Sequence, residues 1–228
     1  MAGVDGCRSG WVVALQRAAD PPTLRVVPTF AHVLALPEAP EVIAVDVPIG
    51  LLDAAVPGGR DADRAARQLL GPQRASSVFS PPVRSALLYK TFVAACAANR
   101  ASSPHALGIS QQSFGILAKL NEVDCAVRPD LQARVFEVHP ELCFLEMAGG
   151  TAARHGKKRL AGRAERRTLL AEAGLVSTSG PIKGASADDV LDALAACWTA
   201  RRIAMGLATR VPETPPIDSR GLRMEIWR

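Results

Sequence analysis

The chain has 228 residues, of which 48% are hydrophobic, and its formal net charge is +5 at pH 7. That is enough apolar material for one sizeable core, in one domain or in one domain with an insertion. The first residues lack a signal-peptide pattern and the longest apolar runs are too short to cross a bilayer, so we expect a cytoplasmic protein. The five cysteines are scattered without a CxxC pair, which argues against a zinc or redox motif. The basic excess permits a nucleic-acid partner but is weak support for one.

The first third of the chain predicts a mixed sheet. Residues 3–15 read as a strand, a tight turn and a second strand, because turn residues separate two apolar runs. A third strand is predicted over residues 24–30 and a short helix over residues 31–36. Three antiparallel strands and a helix before the next strand are not a simple alternation of strands and helices.

The next apolar run, residues 42–45, ends in Asp46, and Pro48 and Gly50 follow it. A short apolar run between turn residues is typical of a strand that is buried on both faces. A carboxylate at the end of such a strand is costly unless it is paired or binds something. The carboxyl ends of buried parallel strands are also where open α/β sheets place their ligands. Asp46 is therefore the first functional candidate.

Residues 53–130 are predicted to be a mainly helical insertion within a single domain that spans residues 1–228. Helices are predicted over residues 61–70, over residues 85–99 and from Ser110 onwards, where Ser110 is a good N-cap. The proline-rich loop between the first two of these helices carries Ser76, Ser77 and Arg84. A loop of this length more often has a functional role than a structural one, so these three residues are candidates for lining a substrate groove.

The last part of the chain predicts a strand over residues 133–141, a basic stretch over residues 149–167 and a long helix from Ser186 to about Met205. A terminal strand is predicted over residues 222–227. The long helix has a predicted core stripe of Leu191, Leu194, Trp198 and Met205.

Five carboxylates have an apolar strand or helix behind them: Asp5, Asp46, Glu137, Asp189 and Asp192. Carboxylates that share a site repel one another, and a hard divalent cation such as Mg²⁺ resolves that conflict. Structural alternatives stay open for the acids: a turn role for Asp5 and a pairing with a basic side chain for Glu137. Asp188 and Asp189 are alternatively helix-dipole partners, and whether Asp188, Glu137 and Glu141 join the site is open. We expect His139 to be structural.

Five residues of the basic stretch, Arg154, Lys157, Lys158, Arg159 and Arg163, are candidates for phosphate contacts. A solvated helix face and loop is an equally good interpretation of this stretch. Arg8 and Ser9, in the predicted first turn, are a further candidate substrate loop.

Several motifs together resemble a bacterial and archaeal family of unknown function that is described as predicted nucleases of the ribonuclease H fold. They are residues 3–11 (GVDGCRSGW), 46–51 (DVPIGL), 77–79 (SVF), 108–112 (GISQQ), 137–141 (EVHPE), 188–194 (DDVLDAL) and 221–227 (GLRMEIW). The resemblance covers nearly the whole chain. It implies a five-stranded, ribonuclease H-like mixed sheet flanked by helices, with Asp5, Asp46, Asp189 and Asp192 as metal ligands. Glu137 belongs to the family's own pattern.

The leading hypothesis is a Mg²⁺- or Mn²⁺-dependent nuclease in which Asp5, Asp46, Glu137, Asp189 and Asp192 form the catalytic cluster. Metal ions would activate a water and stabilise charge that develops on the scissile phosphate. One alternative is a nucleotide-binding phosphotransferase of the actin-like ATPase superfamily, because residues 5–10 resemble a phosphate-binding hairpin in which Ser9 would contact a phosphate. Another is a non-catalytic nucleic-acid-binding protein on the same fold. The sequence leaves open DNA or RNA, endo- or exonuclease action, and the oligomeric state, a homodimer included.

Overall fold

The computed structural model describes residues 1–18, 20–177 and 180–228. The chain begins with three strands and a short helix: β1 (Ala2–Cys7), β2 (Gly10–Leu15), β3 (Thr23–Val27) and α1 (Phe30–Leu34). Then follow β4 (Ile43–Val45), α2 (Asp61–Arg74), α3 (Phe92–Ala101), α4 (Gln111–Gly115) and α5 (Leu117–Ala126). The remaining elements are β5 (Val135–Glu137), α6 (Pro140–Met147), α7 (Leu160–Glu172), α8 (Ala187–Ala204), β6 (Arg210–Val211) and β7 (Ile226–Trp227).

Five strands form one mixed sheet in the order β3-β2-β1-β4-β5. The pairs β3–β2 and β2–β1 are antiparallel, whereas β1–β4 and β4–β5 are parallel. A second, two-stranded sheet contains β6 and β7. The predicted fold class is therefore confirmed as an α/β protein with a five-stranded mixed sheet, and the described part of the chain contains eight α-helices.

The chain divides into two compact units. The first contains residues 1–47, 134–209 and 227–228, with the whole five-stranded sheet, and the second contains residues 48–133 and 210–226. The predicted single domain with an insertion over residues 53–130 stays a prediction. No helix of the described residues is long and apolar enough to span a bilayer.

The core of the first unit lies between one face of the sheet and α8. Residues alternate between the two faces of a strand, so Val12 and Ala14 of β2 point to one face and Trp11 to the other. Val12 and Ala14 pack in a core cluster with the helix side chains of α6, α7 and α8. Trp11 instead contacts Phe30 of α1, with 5.2 Å between the ring centroids. Helices therefore cover both faces of the sheet.

Some predicted boundaries were wrong. The predicted helix over residues 85–99 is a 3₁₀ helix (Arg84–Leu88) followed by α3, because the Thr91 side chain accepts a hydrogen bond from the Ala94 amide and starts a new helix there. The predicted strand over residues 133–141 ends at Glu137, since His139 caps α6. The terminal strand is only two residues long, and Met205 is 62% exposed, outside the core stripe.

Candidate metal centre

Two of the acids lie where the parallel pairing of β1 with β4 ends. Val4 of β1 is paired with Val45 of β4, and Asp5 and Asp46 each follow by one residue. The Asp46 amide donates a hydrogen bond to the Val4 carbonyl oxygen at 2.9 Å, which continues the pairing by one step. Asp5 and Asp46 therefore lie side by side on neighbouring strands in the interior of the sheet.

A third acid is brought to the same place by α8, which packs on β1, β2 and β4. Gly3 is two residues before Asp5, on the same face of β1. A Cβ atom at Gly3 would lie 2.0 Å from the Cys197 amide nitrogen and 2.2 Å from the Ala193 carbonyl oxygen. The backbone of α8 thus touches the strand at Gly3, and this close approach carries Asp192, one residue before Ala193, towards Asp5.

The carboxylates of Asp5, Asp46 and Asp192 form one group, which we call the acid centre. One oxygen of each lies within 4.8 Å of the others. Asp192 is 3% exposed, and the other two are partly exposed. Three carboxylate oxygens at this spacing are the donor set that hard divalent cations prefer. Among the described residues, no other group of three or more potential metal ligands lies this close together.

One basic side chain in the described part of the chain contacts the acid centre. Lys157, in the segment before α7, donates a hydrogen bond from Nζ to Asp192 Oδ2 at 2.7 Å. In the described residues, the Asp5 and Asp46 carboxylates have neither a hydrogen bond nor an ion pair. The negative charge of the centre is therefore only partly compensated by the protein.

The three carboxyl groups hold protons more tightly than ordinary aspartates. Burial, and then the charge of Asp192, raises the pKa of Asp46 to about 8. Burial and the charge of Asp46 raise the pKa of Asp5 well above its usual value. Burial also raises the pKa of Asp192, although the Lys157 ammonium opposes that shift. Charges that raise one another's proton affinity in this way are relieved by a cation as well as by a proton.

Two further acids lie near the acid centre without joining it. Glu137, which is 4% exposed, is aligned with Val45 at the end of β5. Glu141, in the first turn of α6, forms an ion pair with the fully buried Arg166 of α7. The charges of both acids contribute to the raised pKa of Asp46. They increase the negative potential of the centre, but the structure does not place them in the group of three.

The remaining acids at the start of α8 have local partners. Asp189 forms a capping box with Ser186, in which the Ser186 amide donates to Asp189 Oδ2 at 2.8 Å and the Asp189 amide donates to Ser186 Oγ at 3.2 Å. Asp188 forms an ion pair with Arg163, with 2.7 Å between Arg163 Nε and Asp188 Oδ1. Of the two predicted ligands on this helix, only Asp192 belongs to the acid centre. His139 has a capping role, since its Nδ1 accepts a hydrogen bond from the Glu141 amide at 3.2 Å.

The five predicted phosphate-contacting residues fall into two sets. Lys157 and Arg163 have the acidic partners already named, Asp192 and Asp188. Arg154, Lys158 and Arg159 are exposed, and no ion pair of their side chains occurs in the described ranges.

The predicted substrate loops have these positions. Arg8 and Ser9 are exposed in the turn between β1 and β2, where the Ser9 amide donates to the Gly184 carbonyl oxygen at 3.3 Å. Ser76, Ser77 and Arg84 lie in the second unit. Arg84 forms ion pairs with Asp53, Asp124 and Asp218 of the same unit.

Sequence reasoning missed the partner of Asp192 and the buried ion pair behind it. Lys157 is one of several basic residues in its segment, and no adjacent residue indicates that it contacts a buried carboxylate. A signal for Arg166 did exist. It lies four residues from both Gly162 and Leu170, and all three are buried on one face of α7.

The fold and the acid centre define an α/β protein with three clustered aspartate carboxylates beside the interior strands of its sheet. A family model described as "Protein of unknown function (DUF429)" matches residues 3–217, and the chain belongs to that family. The searches of curated proteins and of solved structures returned no match.

Proposed function

We propose that this protein is a divalent-metal-dependent nuclease that cleaves phosphodiester bonds in nucleic acid. The observation that carries the proposal is the acid centre, in which Asp5, Asp46 and Asp192 converge within 4.8 Å from three separate elements. An arginine beside each of Asp5 and Asp46 would have given these acids a purely structural explanation. In the described part of the chain, neither acid has such a partner.

The donor set fits Mg²⁺ or Mn²⁺. All three residues offer carboxylate oxygens, which are the ligands of hard divalent cations, and the two partly exposed acids leave room for water and substrate oxygens. Asp5, Asp46 and Asp192 are the residues that would hold the metal. When bound, it would supply an activated water and stabilise negative charge on phosphate oxygens.

The placement of the acids also agrees with the ribonuclease H resemblance. That resemblance implies one acid on the first strand, one at the end of the fourth strand and one or more on a late helix. Asp5, Asp46 and Asp192 hold these positions on a sheet in the order β3-β2-β1-β4-β5. Exposed Arg154, Lys158 and Arg159 would contact the phosphate backbone, in a manner that is insensitive to base sequence and weakened by salt.

The test is cleavage of labelled single-stranded DNA, duplex DNA and RNA in Mg²⁺ and in Mn²⁺. The wild type is compared with Asp46→Asn, which preserves the shape of the side chain and removes its charge. We expect the substitution to reduce the cleavage rate by about 100-fold or more, because changes even in residues that only support metal ligands cost 10–100-fold.

The matched control is Asp130→Asn, which changes an exposed aspartate of the second unit that is paired with Arg128. Its cleavage rate should equal that of the wild type. If all three proteins fail to cleave every substrate in both metals, or cleave equally, the nuclease proposal is wrong. Nucleic-acid binding without cleavage would instead favour a non-catalytic binding protein.

A further inference from the structure

The Lys157 ammonium is an integral part of the acid centre. Its Nζ lies 2.7 Å from Oδ2 of Asp192, a residue whose side chain is only 4% exposed. The negative charges of Asp192, Asp46 and Asp5 all act on Lys157, and although burial opposes them they raise its pKa. An ammonium at this place interacts with the whole group of carboxylates and not with a single partner.

The backbone around Lys157 is held by α7. The amides of Arg154 and His155 donate to the Glu165 carboxylate at 2.8 and 3.2 Å, and the His155 carbonyl oxygen accepts a hydrogen bond from Arg166 at 3.0 Å.

Gly162 fixes the same segment by close contact. A Cβ atom there would lie 2.2 Å from the Gly156 carbonyl oxygen, directly before Lys157. The same Arg166 guanidinium binds Glu141, so the segment is tied to a fully buried ion pair. These contacts present Lys157 to Asp192 from a fixed backbone position, unlike a lysine on a free loop.

The formal charges of the three carboxylates and of Lys157 limit the number of divalent cations that can bind there. Three carboxylates and one ammonium have a net formal charge of −2 when ionised, which one divalent ion neutralises. Two such ions, about 3.5–4 Å apart, are the usual arrangement for phosphodiester cleavage. A second ion in this centre would have to bind beside an ammonium that already occupies an oxygen of Asp192, at a strong Coulombic cost.

We propose that Lys157 takes the place of a second metal ion, so that the acid centre binds a single divalent cation. This inference rests on the proposed function, since it concerns the metal content of the same site. Lys157 acts as a charge-compensating and positioning residue. It satisfies Oδ2 of Asp192 and leaves the other oxygen of Asp192, together with Asp5 and Asp46, to face the single ion.

The test counts Mn²⁺ ions by isothermal titration calorimetry, and by anomalous diffraction from crystals soaked in Mn²⁺. Wild type, Lys157→Arg and Lys157→Met are compared, with Lys183→Met as the control for loss of an exposed lysine. We expect one ion per chain in the wild type, in Lys157→Arg and in the control, because each keeps a cation beside Asp192. We expect two in Lys157→Met, where the group has a net formal charge of −3 and a free Asp192 oxygen.

Two ions in the wild type, or one ion in Lys157→Met, would overturn the inference. Lys157→Arg keeps this conclusion independent of any folding defect in Lys157→Met, because two ions in the arginine variant would also contradict it. If the wild type binds two ions and cleaves nucleic acid, only the inference about Lys157 fails. If it binds none, the proposed function fails with it.

Discussion

The two units both gather carboxylates, but they compensate the negative charge in opposite ways. In the second unit, Asp124 and Asp218 surround Arg84, and Asp124 also pairs with Arg220. In the first unit, Asp5 and Asp46 are adjacent, and the described residues include no ion-pair partner for either of them.

The pKa values of Asp218 and Asp46 are shifted in opposite directions, in line with this difference in charge compensation. Burial alone would raise the pKa of Asp218, but hydrogen bonds from the Leu222 amide and the Arg84 guanidinium lower it below the usual value. Burial and the charge of Asp192 instead raise the pKa of Asp46 to about 8. A carboxylate with a depressed pKa stabilises its surroundings in the ionised state, whereas one with a raised pKa is destabilised until a cation or a proton arrives. The comparison thus separates acids that have a basic partner from acids that have none in the described residues.

The largest expected effect on stability is at the paired acid, Asp218. Asp218→Asn removes the charge that Arg84 binds and places an amide group among the donors of Leu51 and Leu222. The new amide nitrogen cannot accept hydrogen bonds from these donors, and each buried donor left unpaired costs about 1–3 kcal/mol, so the free energy of unfolding should fall by about 3 kcal/mol. Urea denaturation in a metal-free buffer measures it. Asp46→Asn is the matched substitution, and it should not destabilise the metal-free protein. Equal losses in the two variants would remove the distinction between the two groups of acids.

A somewhat smaller effect is expected from metal binding to the folded protein. At a Mn²⁺ concentration of about 100 times the dissociation constant, the free energy of unfolding of the wild type should rise by about 2.7 kcal/mol. Asp46→Asn should show little or no rise, because it lacks one of the three ligands. Thermal unfolding with Mn²⁺ and with a chelator gives the comparison. A similar rise in both proteins would place the ion away from the acid centre.

The smallest expected effect, taken per pH unit, is on the pH dependence of stability. The pKa of Asp46 is higher in the folded protein than in the unfolded chain, where it is near the ordinary aspartate value of about 3.8. The folded state therefore binds more protons between about pH 4 and 8, and its stability falls as the pH rises through that window. The slope contributed by this carboxyl group is up to about 1.4 kcal/mol per pH unit.

Urea denaturation at pH 5.5, 6.5 and 7.5 in chelator would measure this slope. The wild type should lose stability with rising pH more steeply than Asp46→Asn, and Mn²⁺ should flatten the wild-type curve by replacing the proton. A wild type that gains stability relative to the variant over this range would contradict the raised pKa.

Much of the five-stranded sheet could be predicted because short runs of adjacent residues indicate its strands and turns. The turn at residues 7–10 separates two apolar runs, and the apolar run that ends at Asp46 is short and bounded by Pro48 and Gly50. The predicted helix over residues 85–99 failed for an equally local reason, because the Thr91 side chain caps a new helix inside an otherwise continuous pattern. Capping hydrogen bonds of this kind compete with propensity and decide where helices begin.

The acid centre was only partly accessible to sequence reasoning. Asp5 lies in a strand that could be recognised and Asp46 follows another, but their convergence was implied only by the resemblance and not by a local pattern. Asp189 and Asp192 are neighbours on one helix, and only the capping box with Ser186 distinguishes them. The pairing of Lys157 with Asp192 depends on how residues 154–156 are held against α7, which is a tertiary feature. No spacing in the sequence carries that information.

Gly3 is uncharged and has no side chain, yet the relative positions of the three acid-centre carboxylates depend on it. Its missing methyl group is what allows α8 to lie against β1, and so it sets the separation between an aspartate near one end of the chain and another near the opposite end. The separation of the three carboxylates is therefore governed by a contact between main chains. An alanine at this position would force α8 away from β1, and Asp192 away from Asp5 and Asp46, although every carboxylate would still be present.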